Sequence, residues 1–229
     1  MVVLAVLLVA ADFGARVYAE SRAATAVQQE LGTANRPDVS IEGFPFLLHA
    51  VQGQYPEVVI TAPDVTNEAL PGIRAVATLS SVALPLRDVI NGDTSNLTAR
   101  STQLKVLVPL ASLSAALGRP NLTLSAAADG SVAVTTTLPI AGRQIPLTGT
   151  AAVTVSKDTL TVAVKSLSAA GLDVTPVITA AAQTLVGGLS KSFPLAGLPF
   201  TVTSAAVEVS AGDLVITGTT GPVALADLR

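Results

Sequence analysis

From Val39 onward, apolar residues recur at every second position in run after run. Val39 and Ile41 alternate with Asp38, Ser40 and Glu42, and Val58 and Ile60 repeat the pattern. Val76, Thr78, Ser80, Val82, Leu84 and Leu86 carry it furthest. Leu104, Val106 and Val108 share a face, with Gln103 and Lys105 opposite. Leu122 and Leu124, Val132 to Leu138, Ala151 to Val155, Leu160 to Val164, Val207 to Val209 and Leu214 to Ile216 complete the series. Period two is the signature of strands with one face inward. The links between successive runs are too short for crossover helices, so the pairing must be mostly antiparallel. Asp129-Gly130 and Lys157-Asp158 stand at hairpin-turn positions. The opposite faces carry Thr, Ser and Ala more than charge. That suits either a Thr-rich surface or a sheet whose concave side lines an apolar cavity.

Helices interrupt the strands. Pro45-Phe46 leads to Gly53, Pro85-Leu86 to Gly92, and Pro109-Leu110 to Gly118. Each reads as strand, proline, short helical segment and glycine stop. Thr175-Pro176 opens a longer helix through Ile178, Ala181, Ala182, Leu185 and Leu189, almost without charge. A helix apolar nearly all round is buried or touches lipid. The expectation is that it packs in the hollow of the sheet.

The chain begins differently. Residues 2–11, VVLAVLLVAA, are all apolar and would extend about 15 Å as a helix. That is half of a roughly 30 Å hydrocarbon core. The run reads as the remainder of a signal peptide or signal anchor, hence export; the alternative is a buried helix. An amphipathic helix follows over 12–31. Phe13, Val17, Ala24, Val27 and Leu31 are expected on its packed face, with Arg16, Glu20, Arg22, Gln28 and Glu30 away from it. The remainder, 12–229, reads as a single domain.

Chemistry is scarce. The chain has no cysteine and one histidine, His49. Thiolate metal sites, cysteine nucleophiles and histidine clusters are therefore excluded. Thirteen basic residues against sixteen acidic ones give a net charge of −3. That balance argues against a nucleic-acid partner, which needs a basic patch. No nucleotide, dinucleotide or hydrolase motif is present. No cofactor, metal ligand or catalytic residue is assigned, and the chain is read as no enzyme. A paired-carboxylate hydrolase would need two carboxylates that meet only in space. Asp64 and Glu68 are four apart but flanked by Pro63 and Pro71. The chain also lacks the aromatic platforms usual in sugar clefts, having no Trp and two Tyr. His49 follows Leu47-Leu48 and reads as a packed residue.

The most distinctive stretch is Gly43-Phe44-Pro45-Phe46-Leu47-Leu48, which holds two of the five phenylalanines. Pro45 sets Phe44 in an extended backbone, so both rings are expected on one fixed turn. They either pin the core, which residue physics favours, or form an apolar rim for a lipid chain.

Several of these elements together resemble a known family. They are Asp12 and Glu20 on the first helix, Val39-x-Ile41-x-Gly43-Phe44-Pro45-Phe46-Leu47, and Gly53-x-Tyr55-x-x-Val58. Leu84-Pro85-Leu86 leading to Asp88 and Gly92, and Pro194 to Phe200, complete the set. The pattern resembles the LmeA family of actinobacterial cell-envelope proteins over nearly the whole chain after residue 11. The resemblance implies an α+β fold with a long curved antiparallel β-sheet wrapping around helices, like tubular lipid-binding domains of the bactericidal/permeability-increasing type. It implies an exported, periplasmic or envelope-anchored phospholipid-binding protein supporting lipomannan elongation or lipid transfer. The implied partners are phosphatidylinositol or another anionic phospholipid, a membrane surface and envelope glycosyltransferases. The residues expected at lipid are Phe44, Pro45, Phe46, Leu47, Leu48, Ile178, Leu185 and Phe200, with a headgroup near Arg74, Arg87 or Arg143. A structural module that scaffolds envelope enzymes is the alternative.

Overall fold

The computed structural model describes residues 2–31, 34–65, 70–93, 95–119, 121–127, 131–140, 143–156, 159–169, 180, 182–184, 186, 189–194, 204–210 and 212–224. The fold is α+β, with antiparallel strands throughout. β1 (Asp38–Glu42), β2 (Gln54–Val65), β3 (Ile73–Ala83) and β4 (Thr98–Pro109) form consecutive neighbours of one sheet. β11 (Asp213–Thr220) and β10 (Ser204–Ser210) extend it beyond β4, and β12 (Val223–Ala224) also pairs with β4. The second sheet runs β5 (Thr123–Ala126), β6 (Val132–Ile140), β7 (Arg143–Ser156), β8 (Thr159–Ala169) and β9 (Lys191–Pro194). Ala126 pairs with Val132 and Ser156 with Thr159, so both hairpins fall where the turn pairs predict them. One hydrophobic core runs through both sheets, from Val39 and Leu79 to Leu160 and Phe193.

The inward face follows the alternation except where the backbone breaks it. In β3 the buried positions are Ile73, Ala75, Ala77 and Leu79, and then Val82. The expected set, Val76, Thr78, Ser80 and Val82, thus has the wrong parity for most of the strand. The parity changes between Leu79 and Val82, at Ser81 with its φ of +52°, while the register is kept: Ser80 and Val82 stay opposite Glu57 and Tyr55 of β2. Leu84 and Leu86 also leave the strand, which ends at Ala83. Elsewhere Leu104, Val106, Val108, Val132, Val134, Leu160, Val162 and Val164 are buried as expected.

All three proline-to-glycine links form short helices: α2 (Phe46–Gln52), α3 (Leu86–Asn91) and α4 (Leu110–Ala116). Gly53, Gly92 and Gly118 stop them with φ of 66°, 71° and 68°. Their placement follows from the strand order. β1 and β3 run the same way, so α2 and α3 sit side by side at one end of the sheet. α4 follows β4, which runs back, and it lies at the other end.

α1 is continuous from Val2 to Leu31, through the expected boundary at residue 12. At thirty residues it is about 45 Å long. Its packed face matches the expected one at Ala24 and Val27 and differs from it at Phe13 and Val17. Phe13 is 68% exposed and Val17 and Tyr18 are exposed too, whereas Asp12, Ala19 and Ala24 are buried. Ala15, Ala23 and Val27 pack against the core beside them. Small residues let the helix approach closely, and polar residues make the bonds. Glu20 Oε1 accepts from the Ile41 N–H at 2.9 Å and from Arg16 Nε at 2.8 Å. Arg16 in turn donates to Ser40 Oγ at 3.2 Å. α1 thereby covers β1, the edge strand, which would otherwise present unpaired backbone groups.

The charge-poor segment after Thr175 is described only in part. Residues 180, 182–184 and 186 are helical, and Ala182 is buried against Leu147 and Ala169. Ile178, Leu185 and Phe200 lie outside the described residues.

Candidate functional site

The end of the first sheet that carries α2 and α3 holds the features expected of a site. α1, α2 and α3 touch one another there. A single carboxylate joins α1 to α2. The α2 N-terminus begins at Pro45, which has no side-chain acceptor to offer its orphan N–H groups. Asp12, reaching across from α1, supplies one. The Phe46 N–H donates to its Oδ2 at 2.9 Å and the Leu47 N–H to its Oδ1 at 2.7 Å. The carboxylate is buried and negative at the positive end of the helix, where both features favour it.

The other end of α2 is tied to α3. Gly53 carries the left-handed turn, and its carbonyl accepts from the Leu84 N–H at 3.0 Å. A Cβ on Gly53 would stand 3.2 Å from the Leu84 carbonyl oxygen, so the absence of a side chain permits the approach. In the first turn of α3, buried Asp88 accepts from Asn96 Nδ2 at 2.9 Å and from Arg87 Nε at 3.1 Å. This holds the α3–β4 connection against the helix.

The Phe-Pro-Phe-Leu-Leu stretch divides between core and surface. Phe46 is 3% exposed and stacks on Tyr55 with ring centroids 6.1 Å apart. Phe44 is 73% exposed. The two rings are therefore not presented together, because Phe44 stands before the helix and Phe46 on its inner face. Pro45, Leu47 and Leu48 are exposed. His49 lies against Gly43: a Cβ on Gly43 would lie 2.9 Å from His49 Cδ2 and 3.1 Å from Pro56 Cδ.

The exposed sides of α2 and α3 carry large apolar side chains beside Gln52, Arg87 and Asn91. Phe44, Leu47, Leu48 and Val51 are exposed on the α2 side and Leu86 and Ile90 on the α3 side. Between the helices lies an open cleft of about 580 Å³, lined by Val51, Gln52, Gln54, Leu86, Arg87 and Asn96 among others. Its size falls in the range of small-ligand sites. Of the three arginines expected near a headgroup, Arg87 lines this cleft. Arg74 is the second residue of β3, at the opposite end of the strand, and Arg143 opens β7 in the second sheet. Among the described residues, no group of three His, Asp or Glu is placed to hold a metal ion.

Tyr55 lies in the core against Phe46. The Tyr55 hydroxyl is buried with no hydrogen-bond partner. Burial also raises its pKa above the ordinary value of 10.0. Tyr55→Phe should therefore leave stability unchanged or raise it by up to about 1 kcal/mol in denaturant unfolding. Alkali supplies a second readout. The folded chain keeps the phenol proton where the unfolded chain releases it. Tyr55 stabilisation is thus complete below about pH 10 and is lost as pH rises through the folded-state value. Tyr55→Phe should lessen that alkaline loss. In a Tyr18→Phe background, tyrosinate absorbance should appear only above the ordinary phenol range.

Sequence reasoning missed the role of Asp12 and the exposure of Val51 and Ile90. The signal for Asp12 was present: a lone carboxylate ending an apolar run, and a helix start at a proline that cannot cap itself.

A family model described as LmeA-like phospholipid-binding matches residues 10–219. No curated protein and no solved structure matches the chain.

Proposed function

The chain belongs to the LmeA-like phospholipid-binding family, and on that premise we propose that the α2–α3 end is where it takes hold of its lipid. The observation that carries the reading is the family match over residues 10–219. The geometry supports it: an apolar surface of Phe44, Leu47 and Leu48 stands beside a cleft that holds Arg87. Each acyl methylene removed from water contributes about 0.8 kcal/mol, so an aliphatic surface supplies affinity without specific polar contacts. Arg87 would face the phosphate, and an anionic headgroup such as that of phosphatidylinositol suits its charge. Phe46 and Pro45 serve the site by holding α2 in place. Ile178, Leu185 and Phe200 belong to the same proposal as apolar lining from the C-terminal half.

The proposal extends to location and role. By length and composition alone α1, over Val2–Glu30, is long and apolar enough to cross a membrane, and the part that an anchor would offer is the exposed apolar run from Val2 to Val9. That supports export and anchoring at the envelope, with the bound lipid transferred or presented to enzymes that elongate lipomannan or a similar glycolipid. The test is retention. The full chain in detergent is loaded with phosphatidylinositol, phosphatidylglycerol or phosphatidylcholine, repurified and extracted for mass spectrometry. About one phospholipid per chain is expected, with less retained in Arg87→Gln for the anionic lipids. No retained phospholipid of any class would overturn the reading.

A further inference from the structure

We propose that the outer face of α2 and α3 docks into the interfacial layer of the same bilayer that α1 enters, so that the cleft opens at headgroup depth. The inference rests on the reading of α1 as an anchor and assigns a second, independent contact. Its basis is the Asp12 clamp. From Val2 to Val9 the large apolar side chains of α1 are exposed. Asp12 is the first charged residue after that run, and Arg16 the next. A carboxylate is costly inside hydrocarbon, so Asp12 marks the depth at which the helix leaves it. The Phe46 and Leu47 N–H groups are bonded to that same carboxylate. The start of α2 is thus held at the boundary by two hydrogen bonds.

The side chains found there fit an interface. Phe44, Leu47, Leu48 and Val51 on the α2 side, with Leu86 and Ile90 on the α3 side, are exposed on two helices that touch each other and α1. Apolar surface gathered on neighbouring elements, and continuous with an apolar helix, marks a contact surface. Its occupant is lipid, because the helix it adjoins carries the same chemistry onward into hydrocarbon. Arg87, largely exposed at the cleft, is the cation at the level of the phosphates. α4, the other proline-started helix, is the contrast: its Leu110 and Leu113 are buried, and it sits at the far end of the sheet.

The chain contains no tryptophan, so single introduced tryptophans report one position each. The full chain is reconstituted into phosphatidylcholine–phosphatidylglycerol vesicles with brominated acyl chains. Val6→Trp reads the anchor, Val51→Trp the docking face, and Thr154→Trp a strand of the second sheet. The expected result is quenching of Val6→Trp by deep bromines, quenching of Val51→Trp by bromines near the glycerol end, and none of Thr154→Trp. Quenching at position 6 without quenching at 51 would overturn docking and leave the anchor reading standing. No quenching at either position would overturn both. A single brominated phospholipid retained per chain in detergent is the further control. Because Val51 lines the cleft, Ile90→Trp, on the docking face but outside the cleft lining, is read with it: quenching of Ile90→Trp by the bilayer and not by the retained lipid is expected, and equal quenching by both overturns docking.

Discussion

Asp12→Ala should destabilise the fold by about 3 kcal/mol, more than a lost helix cap on its own. A cap residue contributes about 0.5–2 kcal/mol. Here the replacement leaves two N–H groups of a helix N-terminus without their acceptor, and each buried unpaired group costs about 1–3 kcal/mol. The estimate sits below the sum because Leu47 is partly exposed and water can reach its amide. Asp12→Asn keeps one carbonyl oxygen and loses the charge opposite the helix dipole, so roughly half the effect is expected. Hydrogen exchange locates the damage. The Phe46 and Leu47 amides should lose protection first in Asp12→Ala, while the Ile41 amide, held by Glu20, keeps its own. Uniform loss of protection across the first sheet, with no lead at residues 46 and 47, would show that Asp12 does not act through α2.

The strands and the proline-started helices were legible because each is decided locally. Alternation sets the face of a strand, and a proline followed by a glycine seven to nine residues later limits a helix at both ends. Ser81 shows where that reading fails. The inward set changes parity there in β3 and, at the same level, in its neighbours β2 and β4, and alternation within one strand gives no warning of it. α1 fails for a different reason. Hydrophobic periodicity put Phe13 and Val17 toward the domain, since large apolar side chains usually go inward. They point outward. The docked face is instead chosen by polar partners that lie 21 to 35 residues away in sequence, the Ile41 N–H for Glu20 and the Phe46 and Leu47 N–H groups for Asp12. A one-dimensional pattern contains no term for such pairs. The sequence marked the Gly-Phe-Pro-Phe-Leu stretch as special, but it could not say which ring was core and which was surface.

That division makes the second large prediction. Phe46→Ala should cost about 3–5 kcal/mol, the usual price of removing a fully buried aromatic ring from a core. Phe46 packs with Tyr55, Ala50 and the rest of the first-sheet core, and its stack on Tyr55 would be lost with it. Phe44→Ala, two residues away, should change stability by no more than about 0.5 kcal/mol, because its ring is already in solvent. Denaturant unfolding of the two variants in the same detergent checks the pair. Equal losses would mean that both rings support the fold, and the assignment of Phe44 to the lipid-facing surface would lose its ground. The asymmetric result carries the opposite consequence. A ring that contributes nothing to folding, fixed beside the Asp12 clamp, costs the unbound chain exposed apolar area and recovers it only in contact with lipid.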